Sequence, residues 1–158
     1  MNLNEPAASQ FAVYGPTFLD VVMGPLDGPP IPGREAWVEG ALMCAGGAAN
    51  QAIALARLGT PVRLHSRVGV DQMGVFVDEM LAREGVDTSS CERVGDQNVT
   101  VSLSFDGDRA MTTRGTTALP RLGGDAPGCL LADVRGISAN SEVVSSWRER
   151  GTWVLADT

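Results

Sequence analysis

The sequence contains no lysine, a single histidine and only three cysteines among its 158 residues. A Walker A loop needs a lysine on the β- and γ-phosphates, and a Schiff-base enzyme needs a reactive lysine amine. P-loop NTPases and Schiff-base enzymes are therefore excluded. Cys44, Cys91 and Cys129 lie far apart in the chain and are odd in number, so we expect neither a disulfide framework nor a metal site.

Charge and hydropathy exclude two further classes of partner. The 19 acidic and 12 basic residues are spread along the chain and give a net charge of -7, which does not favour nucleic acid. The longest uncharged run, 40–56, contains Gly, Asn and Gln and is too short to cross a membrane. Residues 1–10 lack the basic and apolar regions of a signal peptide. We expect a globular cytoplasmic protein that binds neither nucleic acid nor membranes.

The order of predicted elements is that of an α/β protein. Apolar runs bounded by glycine and proline predict strands: one buried first strand across 11–23, then 37–43, 62–68, 129–132 and 152–156. Helical periodicity predicts three helices: 48–58, 71–84 and 141–150. Gly59 and Gly85 follow the first two helices, in the position where a left-handed residue is favoured. Four prolines between Gly24 and Arg34 predict a surface loop.

The sequence pattern changes near residue 99. Apolar and polar residues alternate from Val99 to Phe105. Asp106-Gly107 is typical of a tight turn, and Arg109 to Arg114 would form the strand that runs back. This pattern predicts an antiparallel hairpin with one polar face. Such a hairpin is expected to stand away from the main sheet, next to the 37–43 strand, as a lid or a dimer surface.

The segment Ala45-Gly46-Gly47-Ala48-Ala49-Asn50-Gln51-Ala52 carries the strongest functional signal. Two glycines before a helix permit a tight turn and expose backbone N–H groups to an oxygen-rich ligand. The Asn50 amide can both donate and accept, as a sugar hydroxyl requires. On spacing alone a purely structural turn remains open, with Asn50 bonded to nearby backbone. A Rossmann dinucleotide site fits less well because a third glycine is missing.

The chain resembles the ribokinase (PfkB) family of carbohydrate kinases over nearly its whole length. The resemblance lies in Asp20, Ala45 to Gly69 with its spaced glycines, Val68 to Gly74, and Thr113-Arg114-Gly115. It implies a ribokinase-like three-layer α/β/α sandwich with a small β-sheet lid built from segments about 34–44 and 97–115. The resemblance also implies that residues 1–158 are the N-terminal half of such a kinase domain, without the C-terminal ATP-binding half.

By this resemblance, Asp20 accepts hydrogen bonds from substrate hydroxyls, and Gly46, Gly47 and Asn50 hold the opposite side of the substrate. An aspartate at a strand end that only satisfies a backbone N–H is the alternative for Asp20. Arg114 is similar to an arginine of sugar-acid kinases, where a guanidinium pairs with a substrate carboxylate or phosphate; its alternative is a solvated surface charge. Asp71 is predicted to cap a helix, with a structural role only.

The resemblance also implies an activity: ATP-dependent phosphorylation of a hydroxymethyl group on a sugar, a sugar acid or a nucleoside. The family's second signature, Gly-Ala-Gly-Asp, does not occur in this chain, and Gly123-Gly124-Asp125 is predicted to be a loop. We therefore expect the ATP and Mg²⁺ sites in the missing half, and neither a catalytic residue nor a metal ligand here. The chain alone would be inactive. The alternative is a non-catalytic sugar-binding or dimerisation module, with a homodimer formed through the lid.

Overall fold

The computed structural model describes residues 11–157, which form ten strands and four helices. The strands are β1 (Phe11–Tyr14), β2 (Thr17–Leu26), β3 (Gly40–Gly47), β4 (Val62–His65), β5 (Arg67–Val68), β6 (Glu92–Arg93), β7 (Asn98–Phe105), β8 (Asp108–Arg114), β9 (Cys129–Asp133) and β10 (Trp153–Asp157). The helices are α1 (Ala48–Arg57), α2 (Gln72–Arg83), α3 (Val134–Ala139) and α4 (Ser141–Glu149).

The main sheet has the strand order β10-β9-β1-β4, and all of its neighbouring pairs are parallel. Val13 in the central strand β1 is in register with Leu64 on β4 and Leu131 on β9. Parallel strands are usually covered on both faces, which explains the almost continuous apolar composition of β1, β4 and β9.

Alternate residues of β1 point into two separate cores. Val13 packs with α1 and α2 in a core on one face of the main sheet. Ala12 and Tyr14 pack with Val144 and Trp147 of α4 in a core on the other face. Helices therefore cover both faces of a parallel sheet, and the predicted three-layer α/β/α architecture is confirmed.

The second sheet has the order β3-β2-β7-β8. β2 pairs antiparallel with β3 and parallel with β7, and β7 with β8 forms the hairpin predicted from the alternating pattern. The prediction that the 37–43 strand borders this hairpin is wrong, because β2 lies between them. Residues Leu19 and Ala45 near one end of this sheet are buried in the core that contains α1 and α2.

Three of the predicted strands differ from the structure by more than one residue. The run 11–23 is two strands in different sheets, because the chain turns at Gly15-Pro16 and leaves the main sheet. The run 62–68 is also divided, at Ser66, whose hydroxyl donates to the Gly15 carbonyl at 2.6 Å. The strand predicted at 37–43 begins only at Gly40, and Trp37 is 87% exposed in an irregular segment.

The helix ends agree closely with the sequence patterns. The Asp71 side chain accepts a hydrogen bond from the Gly74 backbone N–H at 2.9 Å, which confirms the predicted helix cap. Gly59 and Gly85 have φ angles of 77° and 75°, in the left-handed region expected after a helix. The short helix α3, which the sequence did not predict, begins directly after β9 and is capped by Asp133.

Candidate ligand-binding site

Asp20 lies on β2, in the middle of the second sheet. It is in register with Cys44 on β3 and Thr100 on β7, and Thr100 is in register with Thr113 on β8. The Oγ1 atoms of Thr100 and Thr113 are 3.1 Å apart. We call these four residues the Asp20 row, since they cross all four strands on one face.

The electrostatic surroundings of Asp20 include two opposing effects. Burial raises the pKa of its carboxyl group, while the Thr100 hydrogen bond and the positive charge of Arg109 lower that pKa, and the net shift is upward. Burial and the neighbouring Asp20 charge also raise the pKa of the Cys44 thiol. A protonated thiol beside a carboxylate gives this face a weak donor next to a strong acceptor.

Residues on both sides of the Asp20 row add apolar surface. Val22 and Leu42 are in register one step along β2 and β3, and Met111 lies in register with Ser102 on the other two strands. Phe18 lies one step in the opposite direction, in register with Gly46. Leu42 and Met111 are exposed, so the face combines polar groups with accessible apolar groups. Sugars likewise combine polar hydroxyl groups with apolar C–H groups.

Gly46 is positioned by its contact with Asp20. A Cβ atom at Gly46 would lie 1.9 Å from Asp20 Oδ2 and 2.3 Å from its Cγ. Only glycine therefore allows the carboxylate to lie over β3 in this orientation. The sequence predicts a tight turn at Gly46, whereas the structure places Gly46 in an extended strand, where the lack of a side chain makes room for the Asp20 carboxylate.

Gly47 has a separate structural reason to be glycine. It is the N-cap of α1 with φ 62° and ψ -134°, a backbone conformation that side chains disfavour. A Cβ atom here would lie 2.3 Å from the Pro16 carbonyl oxygen. The Ala48 N–H donates to that same oxygen at 2.9 Å, and no side chain among residues 11–157 caps this helix. The partial positive end of α1 therefore begins beside the Asp20 row.

The structure thus brings Asp20, Gly46 and Gly47 together, with Asn50 exposed in the first turn of α1. Arg114 is placed differently from these four. It is in register with Val99, on the opposite face of the second sheet from Asp20, and its guanidinium is paired with Asp96. Both partners of this pair are largely exposed.

Sequence reasoning did not find Thr100, Thr113 or Arg109. The alternation of apolar and polar residues in β7 predicts that one face of this strand is polar. Only the pairing of β7 with β2 shows that Asp20 lies on the same face of the sheet. Arg109 is in register with Ser104 and lies on that face as well. The missing information was long-range register, which no local pattern contains.

The carboxyl edge of the main sheet holds two further acidic residues that the sequence argument left out. Asp133 and Asp157 are in register at the ends of β9 and β10, where open α/β sheets usually place ligands. The Asp133 carboxyl group accepts from the Gly136 N–H, and Asp157 Oδ2 accepts from Gln51 Nε2 at 2.9 Å. A cavity of about 340 Å³ borders Asp133, Tyr14 and Arg135.

Two other kinds of feature are absent from residues 11–157. No cluster of three or more histidine, cysteine, aspartate or glutamate residues in this range has the arrangement of a metal site. No helix in the same range is long and apolar enough to span a membrane.

Comparison with known proteins defines the class to which this fold and face belong. The model of the pfkB family carbohydrate kinases matches residues 39–118, about half of the chain. This protein belongs to the pfkB family of carbohydrate kinases.

Individual relatives agree with that assignment. A 2-dehydro-3-deoxygluconokinase of Bacillus subtilis is 46% identical over 56 residues, which are 35% of this chain and 17% of the relative. Ribokinase of Cryptococcus neoformans, solved with ADP, is 27% identical with a TM-score of 0.68, over 87% of this chain and 46% of that one. Arabidopsis thaliana ribokinase, solved with ribose and ATP, has a TM-score of 0.73 at 23% identity, over 96% and 54%. This chain spans about half the length of these solved relatives.

Proposed function

We propose that this chain is the substrate-binding part of an ATP-dependent kinase that phosphorylates a hydroxymethyl group of a sugar, a sugar acid or a nucleoside. The observation that carries this proposal is the Asp20 carboxylate, which lies over Gly46 beside the first turn of α1. A half-buried carboxylate with accessible oxygens is a strong acceptor for hydroxyl protons. The helix start and the Asn50 amide supply the donors on the other side.

The breadth of the substrate class follows from the composition of this face. Neutral hydroxyl groups suit Asp20 and Asn50, while Phe18 provides an apolar or stacking contact for a sugar face or a base. Arg114 is the candidate partner for the carboxylate of a sugar acid; it lies on the opposite face of the sheet and would have to leave Asp96 and turn towards the substrate. The similarity to a 2-dehydro-3-deoxygluconokinase supports keeping sugar acids among the substrates.

ATP use is supported by the solved relatives, whose complexes contain ADP or ATP. Phosphoryl transfer depends on positioned charges and a metal ion around the transferred group. We assign no residue of this chain to that task, and we propose that the ATP and Mg²⁺ sites lie in the part that the relatives have beyond the matched half. On this proposal the 158-residue chain binds substrate without turning it over, in the cytoplasm.

Calorimetric titration of the chain tests the substrate assignment. The ligands are D-ribose, D-fructose, 2-dehydro-3-deoxy-D-gluconate and adenosine. The Asp20→Asn variant is expected to lose affinity by roughly 10- to 150-fold, because a hydrogen bond to a charged group contributes about 1.5–3 kcal/mol. Asp108→Asn, at the far end of the hairpin on the same sheet, serves as the matched control and should bind like the unmodified chain. An Asp20→Asn variant with unchanged affinity would remove the basis of the proposal.

A specific observation also supports self-association. Met23, Met43 and Val101 are exposed on the face of the second sheet opposite Asp20. We call these three residues the apolar patch. We propose that a second copy of the chain covers it in a homodimer, which would serve either the kinase or a non-catalytic sugar-binding module.

A further inference from the structure

We propose that Arg135 is a specificity-determining residue, whose guanidinium binds the carboxylate of a sugar acid in a cavity at the carboxyl edge of the main sheet. We call this space the edge cavity. It has a volume of about 340 Å³, and its lining includes Tyr14, Pro16, Thr117, Asp133, Arg135 and Gly136. The inference rests on the proposed function, since it concerns one of the substrate classes proposed there.

The edge cavity lies where the main sheet changes the direction of its connections. β1 pairs with β4 on one side and with β9 on the other. α1, which precedes β4, packs on one face of the sheet, and α4, which follows β9, packs on the opposite face. The carboxyl ends of β1 and β9 therefore open into a crevice between helices on opposite faces. Open α/β sheets bind their ligands in such a crevice.

Buried contacts hold the wall of the edge cavity in place. The Tyr14 hydroxyl donates to the Pro120 carbonyl at 2.9 Å and accepts from Nδ2 of the buried Asn140 at 3.1 Å. A Cβ atom at Gly136 would lie 2.8 Å from two ring carbons of Tyr14. Glycine therefore allows α3 to begin this close to Tyr14, and the neighbouring Arg135 is placed at the cavity.

Arg135 brings an uncommitted positive charge to the edge cavity. Six arginines form ion pairs within residues 11–157, and Arg135 is not one of them. Arg135 is exposed, and its side chain makes no hydrogen bond to another residue of the same range. A free guanidinium can bind a carboxylate through two parallel hydrogen bonds. Arg114, in contrast, is paired with Asp96.

Two acidic residues near the edge cavity define how the ligand must lie. Asp133 borders the cavity, and Asp157 is in register with it on β10. Asp133 accepts from the Gly136 N–H and retains capacity to accept hydroxyl protons. The two carboxylates repel a doubly charged phosphate more strongly than a singly charged carboxylate. A sugar acid suits these groups when its carboxylate meets Arg135 and its hydroxyls face Asp133.

The edge cavity adjoins the part of the substrate site proposed at the start of α1. Pro16 borders the cavity, and its carbonyl oxygen accepts the Ala48 N–H at 2.9 Å, next to Gly47. The cavity volume falls within the range of about 300–1,000 Å³ that is usual for small-molecule sites. The space is therefore large enough for the acidic end of a six-carbon sugar acid, with the rest of the molecule directed towards α1.

Two ligands that differ at a single carbon isolate the carboxylate. 2-Dehydro-3-deoxy-D-gluconate has a carboxylate where 3-deoxy-D-fructose has a neutral hydroxymethyl group. In calorimetric titration, Arg135→Gln should weaken binding of the acid by about 10-fold or more, because hydrogen bonds between charged groups are lost. The same variant should bind the neutral sugar normally. Arg135→Lys should recover part of the affinity for the acid, since lysine keeps the charge without the planar fork.

Two further arginines provide comparisons. Arg148 is exposed on α4, forms no ion pair within the described residues and borders a different cavity. Arg148→Gln therefore makes the same change of charge away from the edge cavity, and it should bind both ligands normally. Arg114→Gln measures the contribution of the other candidate arginine. Loss of acid binding in Arg114→Gln with normal acid binding in Arg135→Gln would overturn the inference.

Inorganic phosphate tests the other oxyanion that an arginine can hold. Phosphate at the concentration of the acid should not displace it from the unmodified chain. An Arg135→Gln variant that lost affinity for phosphate but bound the sugar acid normally would overturn the inference.

The remaining outcomes separate this inference from the proposed function. Equal acid binding in Arg135→Gln and the unmodified chain, or binding of the neutral sugar without binding of the acid, would overturn the inference and leave the proposed function in place. Failure of both ligands to bind would overturn the inference. It would overturn the proposed function as well only if D-ribose, D-fructose and adenosine also failed to bind.

Discussion

The adjacent glycines Gly46 and Gly47 are predicted to respond to the same substitution in opposite ways. In Gly46→Ala the new methyl group would lie 1.9 Å from Asp20 Oδ2, so the carboxylate must rotate away. The contact is with the end of a flexible side chain, and the strand backbone at Gly46 suits any residue. We expect a stability loss of no more than about 1.5 kcal/mol, from an unfavourable rotamer or a lost hydrogen bond.

The effect of Gly46→Ala on binding should be much larger than its effect on stability. Rotation of the carboxylate would remove the acceptor that we propose for the substrate hydroxyls. Two hydrogen bonds to a charged group at about 1.5 kcal/mol each correspond to roughly a 100-fold rise in Kd. The variant should therefore stay folded and lose its ligand.

Gly47→Ala should lose stability first. Its φ of 62° with ψ of -134° costs a residue with a side chain about 1–3 kcal/mol, and the new methyl group would meet the Pro16 carbonyl oxygen at 2.3 Å. That oxygen belongs to the backbone that leads into β2 and cannot rotate away. A loss of about 3 kcal/mol is expected, which is a large fraction of the total stability of a domain of this size.

Urea unfolding and calorimetric titration of both variants make the comparison. Tryptophan fluorescence, to which the buried Trp147 contributes, reports on folding in the layer formed by α4, and circular dichroism reports on the whole chain. A Gly46→Ala variant that binds sugar normally would refute the claim that this glycine exists for the Asp20 carboxylate. A Gly47→Ala variant as stable as the unmodified chain would refute the assignment of strain to the N-cap of α1.

Two further predictions concern acid stability and assembly. Burial tends to raise the pKa of Asp87, but hydrogen bonds from Ser89 and Arg63 outweigh it and lower the pKa from its ordinary value of 3.8 to about 2. This stabilisation is present above pH 4 and is lost as the pH falls through about 2. In urea unfolding, Asp87→Asn should therefore lower the free energy of unfolding by about 1 kcal/mol at neutral pH, after allowance for solvent screening, and by almost nothing near pH 2. A loss of stability that did not depend on pH would contradict this prediction. Met43→Ser in the apolar patch should shift light-scattering mass from dimer towards monomer, whereas Met111→Ser on the Asp20 face should not; equal masses for all three proteins would count against the dimer.

Local chemistry explains which elements could be predicted from the sequence. α1 and α2 combine a helical apolar period with glycine immediately beyond the last turn, and α2 also has an aspartate cap. The hairpin of β7 and β8 combines strict alternation with an Asp-Gly turn. Each of these signals lies within a few residues of the structure it specifies, so a local pattern is sufficient.

The strands on either side of Gly15 show where local pattern fails. β1 and β2 have similar apolar composition, and nothing within them records that one pairs with β4 and β9 while the other pairs with β3 and β7. That choice is made by packing across the whole chain. The position of Asp20 among Cys44, Thr100 and Thr113 depends on the same choice, so these three neighbours of Asp20 could not be predicted from the sequence.

The spaced glycine at position 69 contributes to the site through the attachment of the second sheet. The Gly69 N–H donates to Gln97 Oε1 at 2.9 Å, and the Gln97 amide donates to the Thr17 carbonyl at 3.0 Å, at the start of β2. A Cβ atom at Gly69 would lie 2.3 Å from the Gln97 backbone nitrogen. Glycine is therefore required where this glutamine ties β2 and β7 to the main body.

Asp20 lies three residues beyond that attachment point, close to the part of the second sheet that is packed in the core through Leu19 and Ala45. Further along β2 the side chains become more exposed, as at Met23. A site held within a fraction of an ångström needs rigid neighbours. The Asp20 carboxylate therefore lies on the part of the second sheet that is anchored to the core.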